Sequence, residues 1–453
     1  MQITTDTAAA WAQARPEVTK DFQHDAEIHS KHWLKGYALL EALPGKAKRT
    51  ADQERSAETI LTAGRESREV FMRRHAHAVY AALTRNQTSF VRAEPLVYAA
   101  AKLIPGLVPM RAQVDAQAEK MQSQKDGIEV DQGIFFSQIL ARPDTGTHFC
   151  HAMLLPRAEA LAALPELQAK GEVDLGTAAV VRQGKAAIVY MRNPRYLNAE
   201  DETTLQKTET AVDLATLDSA SELCVLRGDT VDNPKYAGKR VFSTGINLTH
   251  LYRGKISYMW YVTREMGFVN KMMRGLARPD VEPDEIYGGT IEKPWVAGVE
   301  HFAIGGGCQY LLTMDYVVAA SDAYMTLPAR KEGIIPGASN MRMWRFTGDR
   351  IARQAIMMGR RLDCDTPEGR TICDEIVAPG EMDAALARRA ELLTSSGLVN
   401  AAANRRALRA GEEPLDLFRT YMATYAREQA FCHFSPALIR NLEEHWDARN
   451  RKP

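Results

Sequence analysis

The sequence predicts an α/β core preceded by a helical domain and followed by further helices. Three observations carry that expectation. Residues 1–170 place apolar side chains at three- and four-residue spacings with charges between them. From residue 176 short apolar runs alternate with helical stretches, the pattern of an α/β domain. At 294–312, PWVAGVEHFAIGGGCQYLL, a buried strand runs through three glycines into a helix. The expected domains are 1–172, helical; 173–380, the core; and 381–453, a further helical region.

In the first domain, 27–43 and 56–83 read as helices. In the second of these Ala57, Ile60 and Leu61 lead to Val70-Phe71 and then Val79-Tyr80, with Arg73 and Arg74 on a solvated face. Pro95, Pro105 and Pro109 leave a short helix at 96–103 followed by a turn. Residues 112–124 read as helix, ended by Lys125-Asp126-Gly127, and 133–140 as another apolar segment. Arg142-Pro143-Asp144-Thr145-Gly146 reads as a turn. A short helix opens at Pro156 and runs to 164, and Lys170-Gly171 closes the region.

In the core, 176–182 and 185–192 form a hairpin turning at Gln183-Gly184. CVLRG at 224–228, VFSTG at 241–245, the run 295–304 and DYVVAASD at 315–322 are strands, with a helix near 250–273. Gly298, Glu300 and His301 interrupt the apolar character of 295–304. After Gly337 helices are expected at 340–346, 349–358, 366–376, 383–393, 400–410, 422–431 and 436–448.

A chain of 453 residues exceeds one ordinary domain. Its 57 basic and 57 acidic residues balance, which removes the electrostatic case for nucleic acid or an acidic membrane. Six scattered cysteines with no CxxC suit free thiols in a reducing cytoplasm. The N-terminus has no basic stretch leading into an apolar core, and no apolar run reaches the ~18 residues of a spanning helix. A soluble, cytoplasmic protein is expected.

The glycine joint fits neither common phosphate loop. It lacks the Lys-Ser/Thr of a P-loop and the last glycine of the dinucleotide fingerprint. Two readings stand for the triplet: a close helix–strand contact, or an anion site made from unpaired N–H groups at a helix start. A second bend, Thr244-Gly245-Ile246-Asn247 in KRVFSTGINLTHL (239–251), favours the latter. Two strand-end turns offering N–H groups can converge on one oxygen. Cys308 at the joint is a nucleophile or a small packing residue, and the absence of an adjacent base favours packing.

FSTGINL and GGGCQ occur in order with RNPRYLNA (192–199), YMTLPARKEGIIPG (324–337) and FTGDRIARQAIMMGRRLDCDTPEGRTICDEIVAP (346–379). Over about 175–380 this set resembles the crotonase (enoyl-CoA hydratase/isomerase) superfamily. The resemblance implies a core spiral of repeated ββα turns, which no sequence repeat shows independently. It also implies an acyl-CoA thioester substrate and a homo-oligomer, trimer or hexamer. RNPRYLNA, with Arg192, Asn198 and Ala199, is then the CoA-binding loop. The backbone N–H groups of Ile246 and Gly306 are the two oxyanion-hole donors, with Asn247 and His250 beside the substrate.

Hydratases of this family use two glutamates. Here Gln309 and Ala329 occupy those positions, and neither side chain gives or takes a proton as a carboxylate does. The resemblance thus argues against hydration and against isomerisation that relies on either glutamate. The long N-terminal extension, the Gln309 replacement and FSTGINLTHLYRGKISY are similar to an oxygen-using branch of the family, from biosynthesis of the dihydroxyphenylglycine of glycopeptide antibiotics. That implies oxidation of 3,5-dihydroxyphenylacetyl-CoA by O2, without metal, flavin or haem, to 3,5-dihydroxyphenylglyoxylate and free CoA. Rival readings are another crotonase-type enzyme, a thioester hydrolase or decarboxylase, and a non-catalytic CoA-thioester-binding subunit.

Further side chains carry paired readings. Glu200 accepts a bond from a ring hydroxyl or opens a helix as an exposed acid. Arg264, in ISYMWYVTREMGFV, needs a partner if buried: a phenol, a peroxide, Glu200, or an acid at a subunit contact. Gln309 bonds the substrate or a water, or simply starts the helix. His250 is a base or a packed helix residue, and Glu332 is read as a structural charge. The close histidine pairs 29/32, 75/77 and 148/151 lack a nearby carboxylate motif, so no metal site is expected.

Overall fold

The computed structural model describes residues 3–284, 286, 289–395 and 397–451. Contacts divide the chain into two units: Met1–Ala152 with His250–Met259 and Arg419–Arg440, and Met153–Thr249 with Trp260–Phe418 and Asn441–Pro453.

The first unit is helical. Its longest helix, Ala51–Leu83, opens on a capping box at Thr50 and Gln53 and buries Ala57, Ile60, Phe71, Val79 and Tyr80. The expected segment at 27–43 is the helix Phe22–Glu41. Residues 133–140 lie in Val130–Ala141, an almost wholly buried helix. Two expectations change. The short helix begins ahead of Pro95, as Ala93–Leu103, because proline is tolerated in a first turn where N–H groups lack partners anyway. For the same reason Pro143 opens the helix Pro143–Leu154 instead of standing in a turn. The paired histidines sit in packing and hydrogen bonds: His75 Nε2 is 2.7 Å from Asp25 Oδ2, His148 Nδ1 is 2.7 Å from the Tyr80 hydroxyl, and His32 stacks on Trp11.

The second unit holds every strand among the described residues: β1 Glu172–Asp174, β2 Ala178–Gln183, β3 Ala186–Met191, β4 Leu223–Gly228, β5 Trp295–Val299, β6 Phe302–Ile304, β7 Tyr316–Ala320, β8 Tyr324–Thr326, β9 Leu362–Asp363 and β10 Glu375–Val377. Seven form one sheet in the order β1-β2-β3-β4-β5-β7-β10, and β6-β8-β9 form a second. The β2–β3 hairpin is antiparallel, and β3 through β10 run parallel. Helix Glu202–Leu217 packs on β2 and β3, and helix Met382–Thr394 on β4, β5 and β7. β3, β4 and β5 are buried at every position, which is why they read as continuous apolar runs. Gly298 belongs to this packing: a Cβ there would stand 3.0 Å from Leu386 Cδ1.

Several elements depart from the sequence expectation. The run 295–304 is two strands in different sheets, broken where Glu300 pairs with Arg227 at 3.0 Å and His301 takes a left-handed φ of 64°. VFSTG forms no strand. It lies along β6 through an isolated bridge, Ser243 to Ala303, with Ile304 N donating to Ser243 O at 3.0 Å. The helix of the joint opens at Gly306 rather than Cys308. Residues 340–358 are one helix, Ser339–Met358, kinked at Gly348. The expected helix at 366–376 is a short turn, Gly369–Thr371, and then β10, because the edge of β7 offers parallel pairing that local helical pattern cannot match. The stretch near 250–273 divides into Leu248–Tyr252, Tyr258–Arg264, a wide turn Glu265–Val269 and Asn270–Arg274. No helix among the described residues is long and apolar enough to cross a membrane.

Candidate active site

The two glycine bends meet. A Cβ on Gly245 would stand 2.6 Å from Gly306 N and 2.7 Å from Ile304 O, so only glycine permits the approach. Gly305 has φ 52° and ψ −113°, a backbone closed to other residues, and turns β6 sharply into the helix Gly306–Leu311. Ile246 is held by a parallel bridge to Glu200: Glu200 N donates to Gly245 O and Asn247 N to Glu200 O, each at 2.7 Å. That pairing leaves the Ile246 N–H facing away from Glu200. Neither the Ile246 nor the Gly306 N–H donates to an acceptor among the described residues.

The loop 192–200 is tied to this bend. Asn198, at φ 56°, donates from Nδ2 to Asp229 O and Val241 O, each at 2.8 Å, and accepts from Asn193 N at 2.9 Å. Asn tolerates the left-handed conformation that most residues avoid. The side chain of Asn198 therefore fixes the loop. Thr244 Oγ1 donates to Tyr196 O at 3.1 Å, and Asn247 Nδ2 to Asp201 Oδ2 at 3.0 Å. Arg192 is paired with Asp229 at 2.6 Å and Asp174 at 2.9 Å. Ala199 is buried at the cavity wall. His250 lies half-buried on Leu248–Tyr252 and belongs to the first unit.

Beneath the Gly306 turn lies a buried ionic cluster. Arg264 binds Glu200 with two bonds, Nε to Oε2 at 2.6 Å and Nη2 to Oε1 at 3.0 Å. Its Nη1 donates to Gln309 Oε1 at 2.7 Å and to Glu265 Oε1, and its Nη2 to Gly306 O at 3.2 Å. All five guanidinium N–H groups are thus used. Burial opposes this charge, but Glu200, with Tyr310 and Glu265, raises the Arg264 pKa well above its ordinary value. The Tyr310 ring centroid lies 4.8 Å from the guanidinium carbon. Gly306 must be glycine here, since a Cβ would overlap Glu200 Oε1. Gln309 presents its oxygen to Arg264, which only donates, and its Nε2 donates to nothing among the described residues.

A cavity of about 520 Å³ opens beside the bends, lined by Leu197, Ala199, Ile246, Asn247, Ile304 and Glu332 among others. Glu332 is 5 % exposed, and burial pushes its carboxyl up to about 7. It forms no ion pair among the described residues, so the structural-charge expectation gives way to a solitary buried acid. Cys308 is fully buried, and burial pushes its thiol up to about 12, in keeping with packing rather than nucleophilic attack. A larger cavity, about 660 Å³, lies under the helix Met382–Thr394 and carries neither bend. Among the described residues no three His, Cys, Asp or Glu side chains are grouped to hold a metal ion.

Sequence reasoning anticipated Glu200, Arg264, Gln309 and both bends, and the structure brings these together. It missed Glu265, whose Oε2 accepts from Ala338 N at 3.1 Å, and Tyr310. The available signal was two adjacent charges, Arg264-Glu265, inside an apolar run.

The sequence profile of the family described as enoyl-CoA hydratase/isomerase matches residues 182–431. The chain is 44% identical over 393 residues to a (3,5-dihydroxyphenyl)acetyl-CoA 1,2-dioxygenase of Amycolatopsis orientalis, covering 86% of this chain and 89% of that one. It is 27% identical to a crotonyl-CoA hydratase of Syntrophomonas wolfei subsp. wolfei, covering 49% and 79%. An enoyl-CoA hydratase structure from Mycobacterium avium subsp. paratuberculosis superposes with a TM-score of 0.49 at 18% identity, covering 59% of this chain and 98% of that one.

Proposed function

Because this chain belongs to the enoyl-CoA hydratase/isomerase (crotonase) family, we propose that its site carries out enolate chemistry on an arylacetyl-CoA thioester and delivers the electrons to O2. The protein is a dioxygenase that converts 3,5-dihydroxyphenylacetyl-CoA and O2 to 3,5-dihydroxyphenylglyoxylate and CoA. The thioester oxygen sits between the N–H groups of Ile246 and Gly306. Loss of an α-proton leaves an enolate whose charge is shared by the oxygen and the aromatic ring, and the two donors stabilise it where it appears. The enolate passes one electron to O2, and the two radicals join at the α-carbon. The peroxide attacks the thioester carbonyl and the C–S bond breaks, releasing CoA. The O–O bond then breaks as the second α-proton leaves. One oxygen ends in the ketone and the other in the carboxylate.

The observation that supports this reading best is the meeting of two unpaired N–H donors with an amide, Gln309, where hydration requires a carboxylate. Arg264 orients Gln309 and the Gly306 turn. Gln309 Nε2 is then aimed at substrate, and Glu200 retains lone pairs for a ring hydroxyl. Asn198, Ala199 and Asn247 shape the thioester site, with Arg192 on the loop beside them. The protein acts as a trimer or hexamer and needs no cofactor.

An oxygen electrode tests the reading. With 3,5-dihydroxyphenylacetyl-CoA, excess chelator and no added cofactor, O2 uptake should equal CoA release mole for mole. CoA release without uptake would make the protein a hydrolase, and binding with neither would make it a carrier subunit.

A further inference from the structure

Proton removal needs a base, and Glu200, Gln309 and residue 329 do not provide one, while His250 is not among the residues lining the cavity. Both oxygens of Glu200 are bound to Arg264, Gln309 is an amide and residue 329 is alanine. The remaining side chains that line the cavity include Arg195, Tyr196, Asn233, Asn247, Thr244, Trp446 and Arg451. None of these accepts a proton near neutral pH.

Resting on the enolate reading above, we propose that Glu332 is the base that removes the α-proton. Its carboxyl lines the same cavity as Ile246 and Ile304, and Oε1 is 3.7 Å from the point a Cβ on Gly305 would occupy. Gly305 adjoins the Gly306 donor, so the carboxylate lies beside the residue next to the N–H that holds the thioester oxygen. In the step the C–H bond breaks and a carboxyl O–H forms. The electron pair stays on the thioester as the enolate, and the acid afterwards loses its proton to water in the cavity mouth.

The surroundings suit this task. The helical turn Ala329–Glu332 is fixed by the Glu332 N to Pro328 O bond at 3.1 Å, and Trp446 Nε1 donates to Lys331 O at 3.2 Å. The charged side chains about it are Arg330 and Lys331 on its own turn and Arg195 and Arg451 on the cavity wall, and none pairs with it among the described residues. With no counter-ion, burial alone sets its basicity, and a carboxyl that titrates at about 7 is well matched to proton abstraction near neutral pH.

The test is α-hydrogen exchange of 3,5-dihydroxyphenylacetyl-CoA in D2O without oxygen, followed by NMR. The wild-type protein should exchange, with a rate that rises with pH to a plateau above about 7. Glu332→Gln should bind the thioester normally but exchange about 10²–10⁴-fold more slowly, the range for a general base. In Glu332→Ala, added acetate or formate should restore part of the rate, which a structural role would not allow. Wild-type exchange in Glu332→Gln overturns the proposal. If that variant does not fold, a wild-type profile flat from pH 5 to 9 overturns it equally. Exchange in the wild type without aerobic O2 uptake would refute the dioxygenase reading and leave the base assignment standing.

Discussion

Replacing Arg264 with Met tests the site most directly. The side chain is 2 % exposed and meets five acceptor atoms, three of them carboxylate oxygens of Glu200 and Glu265. Glu200 is 6 % exposed and Glu265 1 %. Methionine fills similar space but leaves both acids without their cation, along with the Gln309 and Gly306 oxygens. Removing one partner of a buried pair costs about 3–5 kcal/mol, because the other charge stays buried and uncompensated. That is a large part of the roughly 5–15 kcal/mol that holds a folded protein together. At roughly 2–4 °C per kcal/mol for units of this size, the melting temperature should fall by roughly 6–20 °C. Adding Glu200→Gln should recover at least ~1 kcal/mol by removing one orphaned charge. Thermal melts of the two variants and wild type decide the matter. A single variant within ~1 kcal/mol of wild type, or a double variant no more stable than the single, would refute the assignment of unpaired buried charge.

Other outcomes follow from the same geometry. Gly245→Ala puts a methyl 2.6 Å from Gly306 N and forces the bends apart. Turnover should drop about 10²–10³-fold with secondary structure intact, the loss expected for one donor. Gly306→Pro, which deletes a donor N–H, should abolish turnover, and undiminished O2 uptake would contradict the oxyanion-hole assignment. At Glu413, burial raises the pKa, but Arg342, Arg274 and Arg345 outweigh it and hold it at about 2. Its stabilisation is therefore complete above pH 4.5 and lost as pH falls toward 2. Glu413→Gln should be less stable than wild type at pH 7 and converge with it in acid unfolding, and a gap that stays constant would count against the ion pair. For Glu332 the sign is opposite. A carboxyl raised to about 7 in the fold contributes stability below pH 4.5 and loses it as pH rises through 7. Glu332→Gln should thus gain on wild type over that interval in urea denaturation, and parallel pH dependences would show that the carboxyl is not buried.

What the sequence determined by itself was local. The β2–β3 hairpin, the buried β4 and β7, the glycine joint, and the replacement of two family glutamates by Gln309 and Ala329 are all set by neighbouring residues or by identity alone. Tertiary structure decided whatever depends on residues distant in the chain. The run 295–304 splits because Arg227, 73 positions away, draws Glu300 out of the strand pattern. Residues 375–377 become strand because β7 offers them an edge. Arg264 finds Glu200 at a separation of 64 residues, and no local pattern distinguishes that partner from an acid on another subunit. Glu332 reads from sequence as a structural charge beside Arg330 and Lys331, and its burial without an ion pair among the described residues arises only in the folded chain. Secondary-structure propensity acts over a few residues, whereas desolvation and ion pairing are fixed only once the chain has closed around the group.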